Sequence, residues 1–264
     1  MARLHLVELH EQPWCPRALR DGITDLLQAA INWFHAYDAV APRLAAALNK
    51  SGSRRVVDLA SGGGGPWLGL RPQLARHGAD VAVMFTDRFP NVPALRRATA
   101  MEPARAEFSA EPVDATALPP GLTGFRTMFT AFHHFRPADA RAILGDAVRR
   151  GEGIGVFEIT QRDPVALTFS LLALLAVLIL VPFIRPFRWD RLLVTYLPPL
   201  LPLMAAFDGV VSCLRTYSPA ELSALVEDLP QYEWDIGRVR HRIFPMFVTY
   251  LIGTPRLSEA HSAG

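Results

Sequence analysis

A run of glycines after a short apolar segment is the feature of this sequence with the clearest chemical use. The segment 56–59 is apolar apart from Asp58, and Ala60, Ser61 and the glycines at 62–65 follow it. A strand that ends in glycines and then opens a helix brings bare backbone N–H groups close to a ligand. Because NAD, FAD and mononucleotide sites share this geometry, the loop alone predicts a nucleotide-type cofactor without choosing among them.

Three acids follow successive strand-like segments and indicate which type of nucleotide cofactor the loop binds. Asp58 closes the first segment, Asp87 follows the second, and Asp114 closes the third. Asp58 could order the glycine loop or meet the ammonium group of a ligand. Asp87 is placed to accept hydrogen bonds from both hydroxyls of a ribose, and Asp114 to meet the amino group of an adenine.

This series resembles the class I S-adenosylmethionine-dependent methyltransferases. The glycine motif of that family is matched by Asp58, Ala60, Gly62 and Gly64, its ribose acid by Asp87, and its adenine motif by Asp114 and Ala115. Ala60 is a departure, because the family usually has its first glycine there. The resemblance implies S-adenosylmethionine as the cofactor, with Ser61, Arg88 and Ala131 among the expected contacts. A dinucleotide oxidoreductase is the rival interpretation, but the sequence has no recognisable catalytic set for hydride transfer.

The segment 130–135 resembles the stretch after strand four of the same family, which often ends in paired histidines. Methyl transfer from a sulfonium is an in-line displacement on an activated donor, so the enzyme mainly aligns the acceptor and excludes water. An oxygen or nitrogen acceptor benefits from a base of near-neutral pKa, which His133 or His134 could supply. Alternatively, a histidine packs beside the cofactor. Glu158, at the end of the fifth strand-like segment, either joins this site or caps a loop.

The N-terminal region has the pattern of an amphipathic helix. Apolar residues recur at spacings of three and four between Leu19 and Phe34. By the resemblance, the helices before the glycine strand fold over the cofactor as a lid. Arg20 would then meet the methionine carboxylate, and Tyr37 would cover the sulfonium. An exposed helix face that carries Arg20 and Asp21 is the simpler explanation of the same residues.

Strand-like and helix-like patterns alternate after residue 53, which is typical of βαβ units and a parallel sheet. The strand-like segments are 56–59, 81–85, 108–114, 125–129 and 154–159, and two more, 233–239 and 246–252, are expected to close the sheet as an antiparallel pair. Ser218, Pro219 and Glu221 predict a helix start with a capping box.

The expected fold is α/β: a Rossmann-like methyltransferase sheet with helices on both faces, an N-terminal helical lid and an apolar helical insertion after strand five. The expected units are the lid at 1–52, the cofactor-binding core at 53–164, the insertion at 165–214, and a C-terminal helix with strands at 215–264.

The expected insertion begins with residues 165–184, which carry no charge. About 20 apolar residues suffice to span a bilayer. A second apolar stretch, 192–211, is broken by prolines. The two stretches could form a hairpin within one leaflet, although the arginines between them do not suit the positive-inside tendency. The favoured interpretation is a membrane-associating cap over the ligand crevice.

The membrane hairpin and the apolar cap both predict a hydrophobic small-molecule or lipid acceptor. Arg215 and Tyr217, which follow the second apolar stretch, could orient that acceptor or form an interdomain hydrogen bond.

Composition excludes some partners. The net charge is only +2 and the arginines are scattered, which argues against a nucleic acid. Cys15 and Cys213 lack the spacing of a disulfide framework or a metal site, so no metal is expected. The N-terminal residues lack the apolar core of a signal peptide, which predicts a cytoplasmic protein, associated with the inner face of the membrane through 165–211.

The sequence does not determine the oligomeric state. It also leaves an alternative function of a different class, that of a membrane-tethered protein that binds the cofactor without turnover. Against it, a degenerate site has no reason to retain all three acids.

Overall fold

The computed structural model describes residues 1–242 and 245–256, so the end of the last expected unit, 257–264, lies outside it. A seven-stranded sheet organises the chain. The strands are β1 (Arg55–Asp58), β2 (Ala82–Phe85), β3 (Ala106–Phe108), β4 (Phe125–Phe129), β5 (Ile154–Glu158), β6 (Tyr232–Arg240) and β7 (Phe247–Pro255).

The sheet has the order β3-β2-β1-β4-β5-β7-β6. β1 pairs in parallel with β2 on one side and with β4 on the other, so the winding of the chain reverses at β1. In open α/β sheets, ligands bind in the crevice beyond the carboxyl ends of the strands at such a point. β7 pairs antiparallel with both β5 and β6, as the sequence predicts for the last two strands.

Helices cover both faces of this sheet. They are α1 (Arg17–Trp33), α2 (Ala41–Lys50), α3 (Trp67–Arg76), α4 (Val92–Ala100), α5 (Pro137–Arg149), α6 (Pro164–Leu180), α7 (Trp189–Tyr196), α8 (Leu200–Arg215) and α9 (Pro219–Leu225). Leu44 of α2 and Leu70 of α3 pack on one face, and Leu144 of α5 and Leu222 of α9 pack on the other. Burying each such leucine contributes about 1.5–3 kcal/mol. The sequence-based expectation of a sheet with helices on both faces is confirmed.

The third strand differs from its prediction. It covers Ala106–Phe108 and pairs with β2, whereas the pattern predicts a strand over 108–114. Pro112 has no N–H to donate to the ladder, and Ala110 and Glu111 before it are exposed, so the pairing ends early. Val113 returns to the sheet edge, where its N–H donates to the carbonyl of Asp87 at 2.8 Å.

The C-terminal helix α9 begins with the capping box that the sequence predicts. The N–H of Glu221 donates to Ser218 Oγ at 3.3 Å, and the N–H of Ser218 donates to Glu221 Oε2 at 2.7 Å. Two otherwise unpaired donors at the start of the helix are satisfied in this way.

The apolar insertion after β5 is helical, as expected. One side of it packs on α1, where Val177 and Met204 join Leu19 and Ile23 in a buried cluster. Little of α6 is nevertheless buried: the apolar helical segment Pro164–Phe183, which has 20 residues and includes α6, has a mean hydropathy of 2.7, and only 17% of its most apolar window is buried. By length and composition this helix is sufficient to cross a membrane.

Candidate active site at the carboxyl ends of the strands

The glycine loop after β1 turns through left-handed backbone conformations. Gly62, Gly64 and Gly65 have φ values of 56°, 111° and 55°, which residues with a Cβ rarely adopt. Ala60 shares this region with φ of 52°, so the position where the resemblance expects glycine is one that favours glycine. The N–H of Gly62 donates to Asp87 Oδ2 at 2.8 Å, which joins the loop to the end of β2.

Asp58 lies beneath the loop and is buried. Its Oδ1 accepts a hydrogen bond from Thr127 Oγ1 at 2.6 Å, and Ser61 Oγ donates to its backbone carbonyl at 2.8 Å. Burial raises the pKa of the Asp58 carboxyl to about 7, against the opposing effect of its hydrogen bonds. These contacts match the first of the two roles open from the sequence, that of ordering the loop.

The expected ribose and adenine acids lie side by side. The backbone contact between Asp87 and Val113 places Asp114 next to the end of β2. Asp114 is exposed, and its Oδ1 accepts from the N–H and hydroxyl of Thr116 at 2.8 and 2.7 Å. The hydrogen bonds from Thr116 lower the pKa of Asp114 and keep it ionised. Arg88 is exposed beside them.

A small apolar floor completes this part of the site. Ala115 and Ala131 are buried in one cluster, and Ala60 packs against it. Three residues of the expected cofactor set, from three separate loops, therefore belong to the apolar layer on one face of the sheet.

Helix α1 lies directly on the glycine loop through polar residues that the sequence analysis did not single out. A Cβ on Gly63 would come within 3.0 Å of Gln28 Oε1, and one on Gly64 within 3.0 Å of Gln28 Nε2. Asn32 Nδ2 donates to the carbonyl of Gly65 at 3.0 Å. Gln28 and Asn32 are one helical turn apart and therefore lie on the same face of α1. Their spacing in the sequence could have predicted a polar face that contacts the loop.

The two lid residues expected at the cofactor have other contacts as well. The Arg20 guanidinium donates to the carbonyls of His10 and Gln12 at 3.0 and 2.6 Å, and it lies 4.8 Å from the centre of the Phe89 ring. Tyr37 is buried, with its hydroxyl bonded to Thr130 Oγ1 at the end of β4. Their roles toward a cofactor stay predictions.

His133 is a buried residue held between two carboxylates. Its Nδ1 lies 2.8 Å from Glu158 Oε2, and its backbone N–H donates to Glu158 Oε1 at 3.1 Å. On the other edge of the ring, Nε2 lies 3.5 Å from Glu8 Oε1. Burial by itself would lower the pKa of His133, but the two carboxylates outweigh it and raise the pKa to about 10.

His134 has the opposite electrostatic character. Its Nδ1 lies 2.5 Å from Glu11 Oε1, and a fifth of its side chain is exposed. Burial, together with the charge of His133, lowers the pKa of His134 despite the nearby carboxylates. At neutral pH the pair therefore combines a protonated imidazole at His133 with a neutral one at His134.

Two of the carboxylates beside the histidines, those of Glu8 and Glu11, come from the N-terminal segment. We call residues 8–12 the N-terminal strap. The sequence pattern did not single these acids out. Glu8 is fully buried, and its neighbours His134 and His133 lower its pKa although burial would raise it. The strap is fixed to α8 because Asp208 accepts from the N–H groups of Leu9 and His10 at 2.7 and 3.1 Å.

Arg215 joins the strap to the histidines. It donates to both carboxylate oxygens of Glu11 at 2.8 and 3.2 Å, and to the carbonyls of His133 and His134 at 3.2 and 2.7 Å. Tyr217 donates to the carbonyl of Phe135 at 2.8 Å. Both residues therefore form hydrogen bonds between separate elements of the fold, which is one of the two roles that the sequence left open. Their role toward an acceptor stays a prediction.

Potential metal ligands also meet in this cluster. Glu8, His10 and His134 each offer a ligand atom within 4.8 Å of the others. The Nδ1 of His10 already lies 2.9 Å from Asp208 Oδ2, and that of His134 lies as close to Glu11. A hydrogen bond accounts for the contact between His10 and Asp208, and the expectation that no metal binds stays a prediction.

The chain is similar in fold to several solved protein structures, although its sequence differs from theirs. No protein-family model and no curated protein sequence matches the chain. The plantazolicin methyltransferase BpumL, in complex with SAH, is 10% identical with a TM-score of 0.59 over 94% of each chain. The O-methyltransferase NcsB1 from neocarzinostatin biosynthesis, in complex with S-adenosyl-L-homocysteine and 1,4-dihydroxy-2-naphthoic acid, is 18% identical with a TM-score of 0.51.

Human N-acetylserotonin methyltransferase, in complex with SAM, is 12% identical with a TM-score of 0.50 over 90% of this chain. The chain spans 57% of the length of each of the last two proteins. The chain therefore has the Rossmann-like fold of the class I S-adenosylmethionine-dependent methyltransferases.

Proposed function

We propose that this protein is an S-adenosylmethionine-dependent methyltransferase that acts on a hydrophobic small molecule or lipid. The observation that carries the proposal is the position of Asp87, which bonds the glycine loop at Gly62 and lies beside Asp114. A ribose against Asp87 and an adenine against Asp114 would place the rest of the cofactor over the glycines. The solved structures of the same fold support this choice, since several are complexes with SAM or SAH.

For a hydroxyl acceptor, methyl transfer is coupled to loss of the hydroxyl proton. When bound, S-adenosylmethionine supplies a methyl group already activated by the sulfonium. His133 is protonated at neutral pH and unsuited to accept a proton. We assign the ring proton of the neutral His134 to Nδ1, which lies 2.5 Å from Glu11 Oε1. The Nε2 lone pair would then take a proton from an acceptor hydroxyl. Glu11 and Arg215 hold the ring in that orientation.

The acceptor class follows from the insertion. Leu171, Leu175 and Ile179 on one side of α6, and Phe183 just beyond its end, are between 55% and 65% exposed. Water-soluble proteins rarely expose an apolar surface of this extent, so a membrane that covers it accounts for the pattern. Trp189 and Tyr196 are exposed in the adjoining α7, and such aromatic residues favour the level of the lipid headgroups. These exposed residues support the proposal that the insertion contacts a membrane, and the cytoplasmic side stays the expectation from the sequence.

Calorimetric titration of the purified protein with S-adenosylmethionine and with NAD tests the cofactor. Binding of S-adenosylmethionine alone supports the proposal, and binding of NAD in preference to it would indicate an oxidoreductase. Incubation with radiolabelled S-adenosylmethionine and a membrane lipid extract then tests turnover. Cofactor binding without labelled product, from lipid or from aqueous extract, would identify a binding protein without turnover.

A further inference from the structure

We propose that a pocket at the foot of the apolar insertion binds an anionic group, a phosphate or a carboxylate. A cavity of about 130 Å³ lies where β5, β7 and the end of α8 meet. A water molecule needs on the order of 10–15 Å³, so the cavity has room for a group of several heavy atoms. Its lining includes Gln161, Arg162, Thr216, Ser218, Arg238 and Thr249. This pocket is separate from the glycine loop, because β4 lies between β5 and β1.

The charge of the lining favours an anion. Arg162 and Arg238 contribute guanidinium groups, and none of the described residues that line the cavity is an acid. Arg162 is paired with Glu221 outside the pocket. Arg238 is exposed and forms no ion pair within the described part of the chain, which leaves its fork of N–H donors for a ligand.

A buried hydroxyl in the wall has no partner. Thr249 is 1% exposed, and its Oγ1 makes no hydrogen bond within the described part of the chain. Buried polar atoms are nearly always paired, so an unpaired one that lines a cavity indicates a missing ligand or water. Thr249 and Arg238 are direct cross-strand partners in β7 and β6, so their side chains point to the same face of the sheet. An oxygen of an anion held by Arg238 can accept the proton of that hydroxyl.

The pocket is linked by hydrogen bonds to the histidine cluster. Thr216 Oγ1 lies 2.6 Å from Thr160 Oγ1, and Thr160 Oγ1 donates to Glu158 Oε2 at 3.2 Å. Glu158 is the carboxylate that contacts His133. The anion site is thus adjacent to the proposed centre, at the point where the exposed helix α6 leaves the sheet.

Calorimetric titration of the full chain with inorganic phosphate tests the site. We expect saturable binding that Arg238→Gln and Thr249→Val each weaken by about tenfold or more. Arg240→Gln is the matched control, because Arg240 is an exposed arginine two residues further along β6 that does not line the cavity. Phosphate binding that is absent, or that the control weakens as much as Arg238→Gln does, overturns the proposal.

A competition experiment with lipid vesicles distinguishes a lipid headgroup from a free anion as the ligand. If the ligand is a lipid headgroup, phosphatidylglycerol vesicles should compete with phosphate, and Arg238→Gln should reduce that competition relative to Arg240→Gln. If it is a free anion, vesicles should leave phosphate binding unchanged. Both results support an anion site. S-adenosylmethionine binding is measured in the same variants and should not change, so failure of the anion site is distinguishable from failure of the proposed function.

Discussion

The buried carboxylate of Glu8 lies 3.5 Å from Nε2 of His133, on the edge of the ring opposite the one that Glu158 contacts. A histidine with a carboxylate on each nitrogen is stabilised as an imidazolium, and it balances the charges of both acids. The two histidines that the resemblance offered as alternative bases therefore differ in kind: His133 organises the cluster, and His134 is the candidate base.

The stability of the protein should fall as pH rises above about 6.5, the ordinary pKa of histidine. The folded pKa of His133 is raised to about 10, so its stabilising effect is complete below 6.5 and is lost as pH rises toward 10. The slope for one proton is about 1.4 kcal/mol per pH unit. Urea unfolding at pH 6, 8 and 9.5 measures it. His133→Gln should flatten the profile, and an equal slope in that variant would contradict this assignment.

His134→Gln should lower kcat by roughly 10²–10⁴-fold, the usual contribution of a general base. Glu11→Gln should have a smaller effect in the same direction because it removes the carboxylate that orients the ring. The pKa of His134 is lowered, so the wild type should keep its activity at pH 7 and lose it only on acidification below about 6.5. Labelled-methyl transfer measures kcat, with His77→Gln, an exposed histidine, as control. Full kcat in His134→Gln would exclude this base.

Asp87→Asn should weaken S-adenosylmethionine binding by about tenfold or more, because a hydrogen bond to a charged group contributes about 1.5–3 kcal/mol. The loss combines the ribose contact with the bond from Gly62 that holds the loop. Calorimetry measures the affinity. Glu111→Gln, an exposed acid on the neighbouring loop, is the control, and its affinity should equal that of the wild type. Equal affinities in both variants would remove Asp87 from the cofactor site.

Ala60→Gly should leave the free energy of unfolding within about 0.5 kcal/mol of the wild type. Relief of the left-handed backbone at Ala60 offsets the greater entropy that glycine gives the unfolded chain. Ala46→Gly, at an exposed position inside α2, should instead cost about 1 kcal/mol. Urea denaturation compares the two. A loss at Ala60 as large as that at Ala46 would contradict the strained conformation.

Replacing Leu171 and Ile179 together by glutamate should reduce binding to lipid vesicles by about 100-fold or more, since each exposed side chain contributes about 1.5–3 kcal/mol on transfer out of water. Both are at least 63% exposed, so the melting temperature should change little. Vesicle flotation measures the binding. Met101→Glu, equally exposed but outside the insertion, should bind like the wild type. Unchanged flotation of the double variant would rule out this face as the membrane contact.

Much of the sheet follows from local pattern. The glycine loop and its acids are predictable because each lies within a few residues of a strand end, where spacing alone fixes position. β4 coincides with the predicted segment 125–129, which begins and ends with a phenylalanine and is buried throughout although it contains Arg126 and Thr127. The third strand is not predictable in the same way, because Pro112 and pairing at a sheet edge decide where it ends.

The strap is the part of the candidate site that local pattern could not reveal. In sequence, Glu8 and Glu11 are indistinguishable from ordinary surface acids. In the fold, Glu8 is buried beside the histidines, and the half-buried Glu11 pairs with Arg215. Such charges are stable in the interior because their partners are there, and no rule of spacing connects residues so far apart.

The order of synthesis gives the strap a further consequence. Leu9 is 199 residues from its partner Asp208, a separation that takes about 10–40 s to translate at 5–20 residues per second. Throughout that interval the nascent chain carries Glu8 and Glu11 without the arginine that they pair with. The charge cluster at the carboxyl edge of the sheet can close only after α8 has left the ribosome. A chain that terminates before α8 thus has the glycine loop but no assembled cluster of acids and histidines.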